Sequence, residues 1–188
     1  PRAPPPPGSP LARFSDDLQA LAERIRPSVV QVLVTGYAPA DSGAALARQR
    51  GGGSGVILHP DRDLITNLHV IEGASRIEVV VPPPVGPPGG GRSVVKGTGR
   101  TFPATVVGVD RETDLAVLRV PQKGLPALAL AATETLRRGQ LVVAFGSPRG
   151  LEGSVSVGVV SAVARQHEPE SPMIYVQTDA SINPGNSG

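Results

Sequence analysis

The sequence contains no cysteine and no tryptophan, and aromatic side chains make up only 3% of its 188 residues. The absence of cysteine excludes disulfide bonds and thiolate metal sites, although it leaves the redox compartment open. No apolar run in the sequence is long enough to span a membrane. The formal net charge is +2, and Lys and Arg are scattered with no interleaved aromatic platform, which argues against a nucleic-acid-binding protein.

The chain instead contains many short Val-rich segments, which are separated by Gly and Pro residues. With 39% hydrophobic residues it can bury a sizeable core of Val, Leu, Ile and Ala. Short apolar segments of this kind predict an all-β fold. The predicted strands are residues 29–34, 55–58, 64–67, 77–81, 104–109, 115–120, 141–145, 154–163 and 174–177.

Two other segments interrupt the strand pattern. Apolar residues recur at helical spacing over residues 18–25, which predicts a short N-terminal helix with Ser15 as its N-cap. Residues 1–13 are Pro-rich, and we expect them to form a flexible tether. Residues 82–99 are rich in Pro and Gly, which indicates a surface loop; a Pro-rich ligand for a partner protein is the alternative.

A candidate nucleophile lies near the end of the sequence. Ser187 belongs to a Gly-x-Ser-Gly turn, with Gly185 and Gly188 on either side of it. A nucleophilic hydroxyl must be exposed on a tight turn beside backbone N–H groups that can bind an oxyanion. A plain Gly-rich turn is the alternative in a chain with 23 glycines.

A serine nucleophile needs a histidine base, and the chain has three histidines. His59 and His167 lie in polar, Pro-containing segments, which indicates solvated loops. His69 instead lies in an apolar segment that Gly73 closes, so we expect a half-buried imidazole. A hydrogen-bonded core histidine is the alternative for His69.

Asp114 is the candidate carboxylate that would orient this base. It stands at the start of the apolar run Leu-Ala-Val-Leu, which predicts an inner strand. Carboxylates are rarely buried without a partner, and an imidazole N–H would provide one. An Asp that caps backbone amides at the start of a strand is the alternative.

His69, Asp114 and Ser187 occur in the order His, Asp, Ser, which is the chain order of chymotrypsin-like double barrels. The sequence resembles the HtrA (Deg) family of chymotrypsin-fold serine proteases. Six segments carry the resemblance: Gly53-Ser-Gly-Val-Ile, Thr66-Asn-Leu-His-Val-Ile, Asp110-Arg-Glu-Thr-Asp-Leu-Ala-Val-Leu-Arg-Val, Val142-Val-Ala-Phe-Gly-Ser-Pro-Arg-Gly-Leu, Gly158-Val-Val-Ser-Ala and Gln177-Thr-Asp-Ala-Ser-Ile-Asn-Pro-Gly-Asn-Ser-Gly.

The resemblance implies a chymotrypsin-like double six-stranded β-barrel with a short N-terminal helix. The protease domain would cover residues 14–188, with the helix and the first barrel in 14–121 and an incomplete second barrel in 122–188. We expect no PDZ domain within these residues. In this family a segment near Phe14 often helps to build a homotrimer, and the location would be periplasmic or exported.

The resemblance also implies a serine endopeptidase that cleaves unfolded or misfolded polypeptides in protein quality control. Ser187 would attack the peptide carbonyl, His69 would act as the base and Asp114 would orient the imidazole. The backbone N–H groups of Gly185, Asn186 and Ser187 would form the oxyanion hole. This mechanism requires neither a metal ion nor another cofactor.

The substrate pocket is expected at Ser181, Ile182 and Asn183. Ser181 lies six residues before Ser187, where a trypsin-like pocket would carry an acid, so a small or medium apolar residue is expected before the cleaved bond. Asp179 is close by, and we expect it to form loop hydrogen bonds. Residues 165–172 match a regulatory sensor loop of the family, or they form an ordinary solvated connection.

Two other functions remain open from the sequence. The chain could be a protease-fold module that binds extended polypeptide without cutting it, as a chaperone does. It could also be a scaffold in which His69 and Asp114 are only structural.

Overall fold

The computed structural model describes residues 8–39, 46–61, 63–83, 99–147, 154–166 and 173–182. In these ranges the helices are α1 Pro10–Ile25, α2 Leu68–Ile71 and two short 3₁₀ turns, Arg26–Ser28 and Thr133–Thr135. The strands are β1 Val29–Pro39, β2 Leu46–Ile57, β3 Asp63–Asn67, β4 Arg76–Val81, β5 Arg100–Pro103, β6 Thr105–Asp110, β7 Leu115–Arg119, β8 Leu141–Gly146, β9 Ser154–Gln166 and β10 Ile174–Thr178. The predicted all-β class is confirmed.

Helix α1 begins earlier than the sequence predicted. Its N-cap is Ser9, whose Oγ accepts a hydrogen bond of 3.2 Å from the backbone N–H of Ala12. Pro10 follows at the first helical position, where its fixed φ is favourable and its missing N–H costs nothing. The prediction of Ser15 as the N-cap is therefore wrong, because the stronger Ser-Pro start lies upstream.

The first sheet has the strand order β5-β4-β1-β2-β3-β7-β6, and every described pair is antiparallel. Only Ala104 separates β5 from β6, although these strands stand at opposite ends of that order. The two edges must therefore meet, and the sheet curls into a barrel in which β5 and β6 form one interrupted strand. This is the first of the two predicted barrels.

The core of the protein lies inside this barrel. Its fully buried side chains come from facing strands, and Leu64 of β3 lies directly opposite Leu118 of β7. Burying an aliphatic side chain of this size stabilises a fold by about 1.5–3 kcal/mol. The largest fully buried hydrophobic residues are Val30, Val32, Ile57, Leu64, Val79, Leu118, Val120 and Val160, and all except Val160 belong to the barrel core.

Besides α1, three elements differ most from the sequence-based expectation. Strand β2 begins at Leu46 rather than at residue 55, because its Gly-rich stretch pairs along the whole of β1 despite low intrinsic strand propensity. Strand β5 was not predicted, and it pairs with β4. Helix α2 has only four residues, too few to show helical periodicity in a sequence.

The second sheet has the order β10-β9-β8 and corresponds to the predicted partial second barrel. Gly158 of β9 lies against the segment that follows β10. A Cβ atom at this position would stand 2.3 Å from the backbone N of Ala180, so a side chain would push this segment away. The contact holds residues 179–182 beside β9.

Several predicted segments lie partly outside the described residues. Of the insertion 82–99, the described residues are Pro82, Pro83 and Gly99, and of the loop 165–172 they are Arg165 and Gln166, at the end of β9. In the described part of the chain, no helix has the length and apolar character needed to cross a membrane.

Candidate active site

Helix α2 presents the candidate base at the end of β3. Val70 and Ile71 are buried in the barrel core and anchor this short helix, whereas His69 points away from the core with 55% of its side chain exposed. The buried neighbours therefore fix the position of the His69 backbone, while the imidazole remains accessible to a substrate. The environment is more open than the half-buried setting that the sequence predicted.

The candidate carboxylate contacts His69 directly. His69 Nδ1 lies 2.6 Å from Asp114 Oδ2, and the backbone N–H of His69 donates to Asp114 Oδ1 over 2.9 Å. The two residues are 45 positions apart in the sequence. Both carboxylate oxygens are thus occupied by the same histidine, which fixes the orientation of the imidazole.

Asp114 has an unusual backbone conformation, with a φ of 55°. Non-glycine residues rarely adopt this left-handed region, and Asp and Asn do so more readily than most. Two donors hold its backbone carbonyl: the N–H of Leu68 at 2.9 Å and Nδ2 of Asn67 at 3.1 Å. The contacts to α2 and β3 therefore stabilise the conformation that aims the carboxylate at His69.

A compact turn precedes Asp114. Asp110 Oδ1 accepts from the backbone N–H of Glu112 at 3.0 Å, and Asp110 Oδ2 accepts from Thr113 Oγ1 at 2.8 Å. The hydrogen bond from Thr113, followed by that from Glu112, lowers the pKa of Asp110. Arg111 also donates to Glu72, just after α2, at 3.2 Å, which links the turn to the segment that carries the histidine.

The pKa of Asp114 is lowered from its ordinary value. Desolvation raises it, but the hydrogen bonds and the charge of His69 outweigh this effect, and the side chain of Asn67 lowers it further. The carboxylate therefore remains ionised at neutral pH. Its ionised form contributes stability above the pKa of an unfolded Asp, and this contribution is lost as the pH falls through the lower folded value.

Asn67 was not singled out from the sequence, and it leads to a testable prediction. We expect Asn67→Ala to raise the pKa of Asp114 toward its ordinary value, because one of the groups that lowers it is removed. Loss of the hydrogen bond should also lower the free energy of unfolding by about 1 kcal/mol. Carbon-detected NMR titration of the carboxyl group and urea unfolding measure the two effects.

Gln19→Ala is the control for this experiment, since it removes an exposed amide that contacts only Glu23 of the same helix among the described residues. An unchanged pKa of Asp114 in Asn67→Ala would show that Asn67 does not support the carboxylate.

The second sheet positions the start of the predicted substrate pocket. Ser156 Oγ donates to the backbone carbonyl of Ser181 over 2.7 Å, and Asp179 Oδ1 accepts from the backbone N–H of Val159 over 2.7 Å. Asp179 therefore has the loop hydrogen-bonding role that the sequence predicted. Ser181 and Ile182 are exposed at the surface.

One hydrogen bond ties the two sheets together and was not foreseen. The backbone N–H of Ser147, after β8, donates to the Oγ of the buried Ser54 over 2.8 Å. The carbonyl of Ser54 accepts from Oγ1 of the fully buried Thr66, just before Asn67, over 2.7 Å. Strand β3, which leads into the helix that carries His69, is thus connected through Ser54 to the second sheet.

The remaining candidate residues are distributed as follows. His59 lies in an exposed loop, as predicted, where its Nδ1 accepts from the backbone N–H of Asp61 at 3.2 Å. His167 and four site residues lie outside the described residues, namely Asn183, Gly185, Asn186 and Ser187. Within the described ranges, no cluster of three His, Asp or Glu side chains could hold a metal ion.

A two-sheet β fold in which a histidine and an aspartate from the first barrel form a direct pair is typical of chymotrypsin-like serine peptidases. A family model described as trypsin-like peptidase domain matches residues 53–188. The chain therefore belongs to the family of trypsin-like peptidase domains, and the relatives that it matches are HtrA- and DegP-type proteases, as the sequence motifs predicted.

Among the curated relatives, a probable periplasmic serine endoprotease DegP-like from Pseudomonas savastanoi is 38% identical over 92% of this chain and 33% of its own length. Serine protease HTRA1 from Xenopus laevis is 34% identical over 97% of this chain and 37% of its own length. The chain thus spans about a third of the length of these relatives.

The solved structures agree with this assignment. The HtrA-type protease AlgW with a tripeptide has a TM-score of 0.70 and 35% identity, covering 90% of this chain and 48% of the other. AlgW with a decapeptide has a TM-score of 0.69 and 33% identity, covering 90% and 53% of the two chains.

Proposed function

We propose that the chain is an HtrA-type serine endopeptidase domain that cleaves unfolded polypeptides through His69, Asp114 and Ser187. The observation that carries this proposal is the 2.6 Å contact between His69 Nδ1 and Asp114 Oδ2. It leaves Nε2 of the imidazole free of the carboxylate and able to face a nucleophile. The names of the relatives, which are serine proteases, support the same reaction class.

The proposed mechanism follows from the chemistry of these groups. Asp114 accepts a hydrogen bond from Nδ1–H, which leaves the lone pair on Nε2 available as a base. Nε2 takes the proton from Ser187 Oγ as that oxygen attacks the peptide carbonyl, and it then protonates the leaving amine. A water molecule hydrolyses the acyl-enzyme with the same base.

The charge that develops on the carbonyl oxygen needs fixed donors. We assign this role to the backbone N–H groups of Gly185, Asn186 and Ser187, because a Gly-rich turn can direct consecutive amides to one point. Removal of a single donor of this kind typically lowers the rate by about 10²–10³.

The preference of the proposed protease for particular substrate residues before the cleaved bond is expected to depend on the segment after β10. Ser181, Ile182 and Asn183 would line the pocket for the residue before the cleaved bond, and no acid is present among them. We therefore propose that small or medium apolar residues bind there.

Two further proposals concern the location and the oligomeric state of the protein. A periplasmic location is proposed because relatives are named periplasmic endoproteases. A homotrimer is proposed by analogy, because a segment near Phe14 often helps to build one in the HtrA family, and Leu11 and Phe14 are exposed on α1. Sedimentation velocity would measure its mass against the 19.3 kDa of one chain.

Ser187→Ala tests the proposed reaction. We expect the parent chain to react with a fluorophosphonate probe and to cleave an unfolded protein such as casein, because the Ser187 hydroxyl would be activated by His69. Both activities should fall to background in Ser187→Ala, since alanine has no nucleophile. Gel fluorescence and a fluorogenic casein assay measure them.

Thr133→Ala is the control, because it removes an exposed hydroxyl in the 3₁₀ turn Thr133–Thr135, outside the proposed site. Labelling that persists in Ser187→Ala would exclude Ser187 as the nucleophile. Absence of labelling and cleavage in the parent chain, together with retained casein binding, would favour the non-cleaving binding module.

A further inference from the structure

A polar pocket of about 440 Å³ opens beside the candidate base. His69 lines one side of it, and Tyr37, Gln49 and Arg50 of the β1–β2 hairpin line the other. All of its lining residues lie between Val34 and Ala74, in the first barrel. The pocket is therefore distinct from the predicted Ser181–Ile182 pocket, which belongs to the second sheet.

The location of this pocket determines which part of a substrate could reach it. Because His69 lines the pocket and would act at the cleaved bond, substrate residues next to that bond would lie beside the pocket. The residue before the bond would bind at the Ser181 segment, so the residues after the bond are the ones that the pocket would receive. Extended chain advances about 3.3 Å per residue, so the first three of these residues span about 10 Å.

The pocket carries an exposed cation beside two consecutive glycines, Gly51 and Gly52. A Cβ atom at Gly52 would stand 2.2 Å from the backbone oxygen of Val32, so this glycine allows the close pairing of β2 with β1. Beside these glycines Arg50 is exposed, and in the described part of the chain no carboxylate forms an ion pair with it.

Two other polar groups at the pocket already have partners. The carboxylate of Glu72 pairs with Arg111 over 3.2 Å, and the imidazole of His69 is hydrogen-bonded to Asp114. Among the described lining residues, Arg50 is therefore the charged group that forms no ion pair. A guanidinium recognises carboxylates through paired hydrogen bonds.

We propose that this pocket is a subsite for an acidic substrate side chain in the first three residues after the cleaved bond, with Arg50 as the residue that determines this specificity. The inference rests on the proposed function, because it needs a substrate that crosses His69. Tyr37 and Gln49 supply further hydrogen-bonding groups at the same surface.

The test is a set of fluorogenic peptides with a single cleavage site and one Glu or Gln at the first, second or third position after it. At low salt we expect Glu to raise kcat/KM over Gln by about two- to fivefold at one position, the range that exposed ion pairs provide. In Arg50→Gln this ratio should fall to about one. Raising the ionic strength to about 1 M should reduce it in the parent, because salt screens exposed charges.

Arg48→Gln is the matched control. Arg48 is an exposed arginine two residues away on the same strand and does not line the pocket, so the Glu-to-Gln ratio should keep its parent value. A ratio of one in the parent at all three positions would overturn the proposal. So would an equal ratio in the parent and in Arg50→Gln.

A binding measurement separates failure of this subsite from failure of the proposed function. Fluorescence anisotropy with Ser187→Ala measures the Kd of the same peptides without turnover, and Glu should bind about two- to fivefold more tightly than Gln. If the parent chain neither reacts with a fluorophosphonate nor cleaves any peptide, the proposed function fails. A Glu preference in binding that depends on Arg50 would still support the pocket.

Discussion

Replacement of Asp114 by Asn should lower kcat by about 10⁴-fold while the fold remains intact. The backbone N–H of His69 is a fixed donor to Asp114 Oδ1, so the single amide oxygen of an Asn would be held there. The amide NH₂ would then face Nδ1, which would have to act as an acceptor. The ring proton would move to Nε2, and the imidazole could no longer accept the proton of Ser187.

The same change should have little effect on the backbone. Asn tolerates a positive φ as readily as Asp does, so the 55° conformation at this position can persist. The effect is therefore expected in kcat rather than in the free energy of unfolding. Single-turnover cleavage of a peptide substrate and urea unfolding measure these two quantities separately.

Glu112→Gln provides the matched control for Asp114→Asn. It neutralises a carboxylate in the same turn, and its described contact is made by its backbone N–H alone. We expect its kcat to stay within about twofold of the parent, as is usual for a surface change. A loss of less than tenfold in Asp114→Asn would contradict the assignment of Asp114 as the orienting carboxylate.

Leu118→Ala should produce the largest loss of stability. Leu118 is fully buried in β7, opposite Leu64 on one side and Val106 on the other. Truncation removes its buried surface and leaves a cavity, which together lower the free energy of unfolding by about 3–5 kcal/mol. This is a large share of the 5–15 kcal/mol or so that stabilises a typical domain.

Urea unfolding followed by circular dichroism measures this loss. Leu130→Ala is the control, because 81% of Leu130 is exposed and its truncation should change the free energy by less than about 0.5 kcal/mol. Since β7 begins next to Asp114, Leu118→Ala should also lower the midpoint for loss of activity in urea. Equal stability of the two variants would show that Leu118 is not part of the core.

The strand pattern was predictable because it depends on local composition. Short aliphatic segments between turn residues correctly indicated β1, β3, β4 and β7, and most of the buried residues there are aliphatic. The pattern failed for β2, whose glycines are strand residues only because β1 pairs with them. It also failed for the helix start, where two Ser residues could serve as the cap and only Ser9 precedes a Pro.

The candidate site also has some features that the sequence predicts and others that only the fold reveals. The sequence alone determined the candidate residues His69, Asp114 and Ser187, since residue type, flanking motif and chain order are all local or linear properties. Only the tertiary structure revealed the left-handed backbone of Asp114, because its stabilising donors, Asn67 and Leu68, lie more than 40 positions earlier.

The pocket beside Arg50 likewise required the folded chain. In the sequence Arg50 is one of 18 basic residues, and nothing in its neighbourhood points to His69. The pairing of β2 with β1, and the return of the chain through α2, place the two residues around one pocket. The amino-acid sequence determined which groups are present and in which order, whereas long-range strand pairing decided which of them share a pocket.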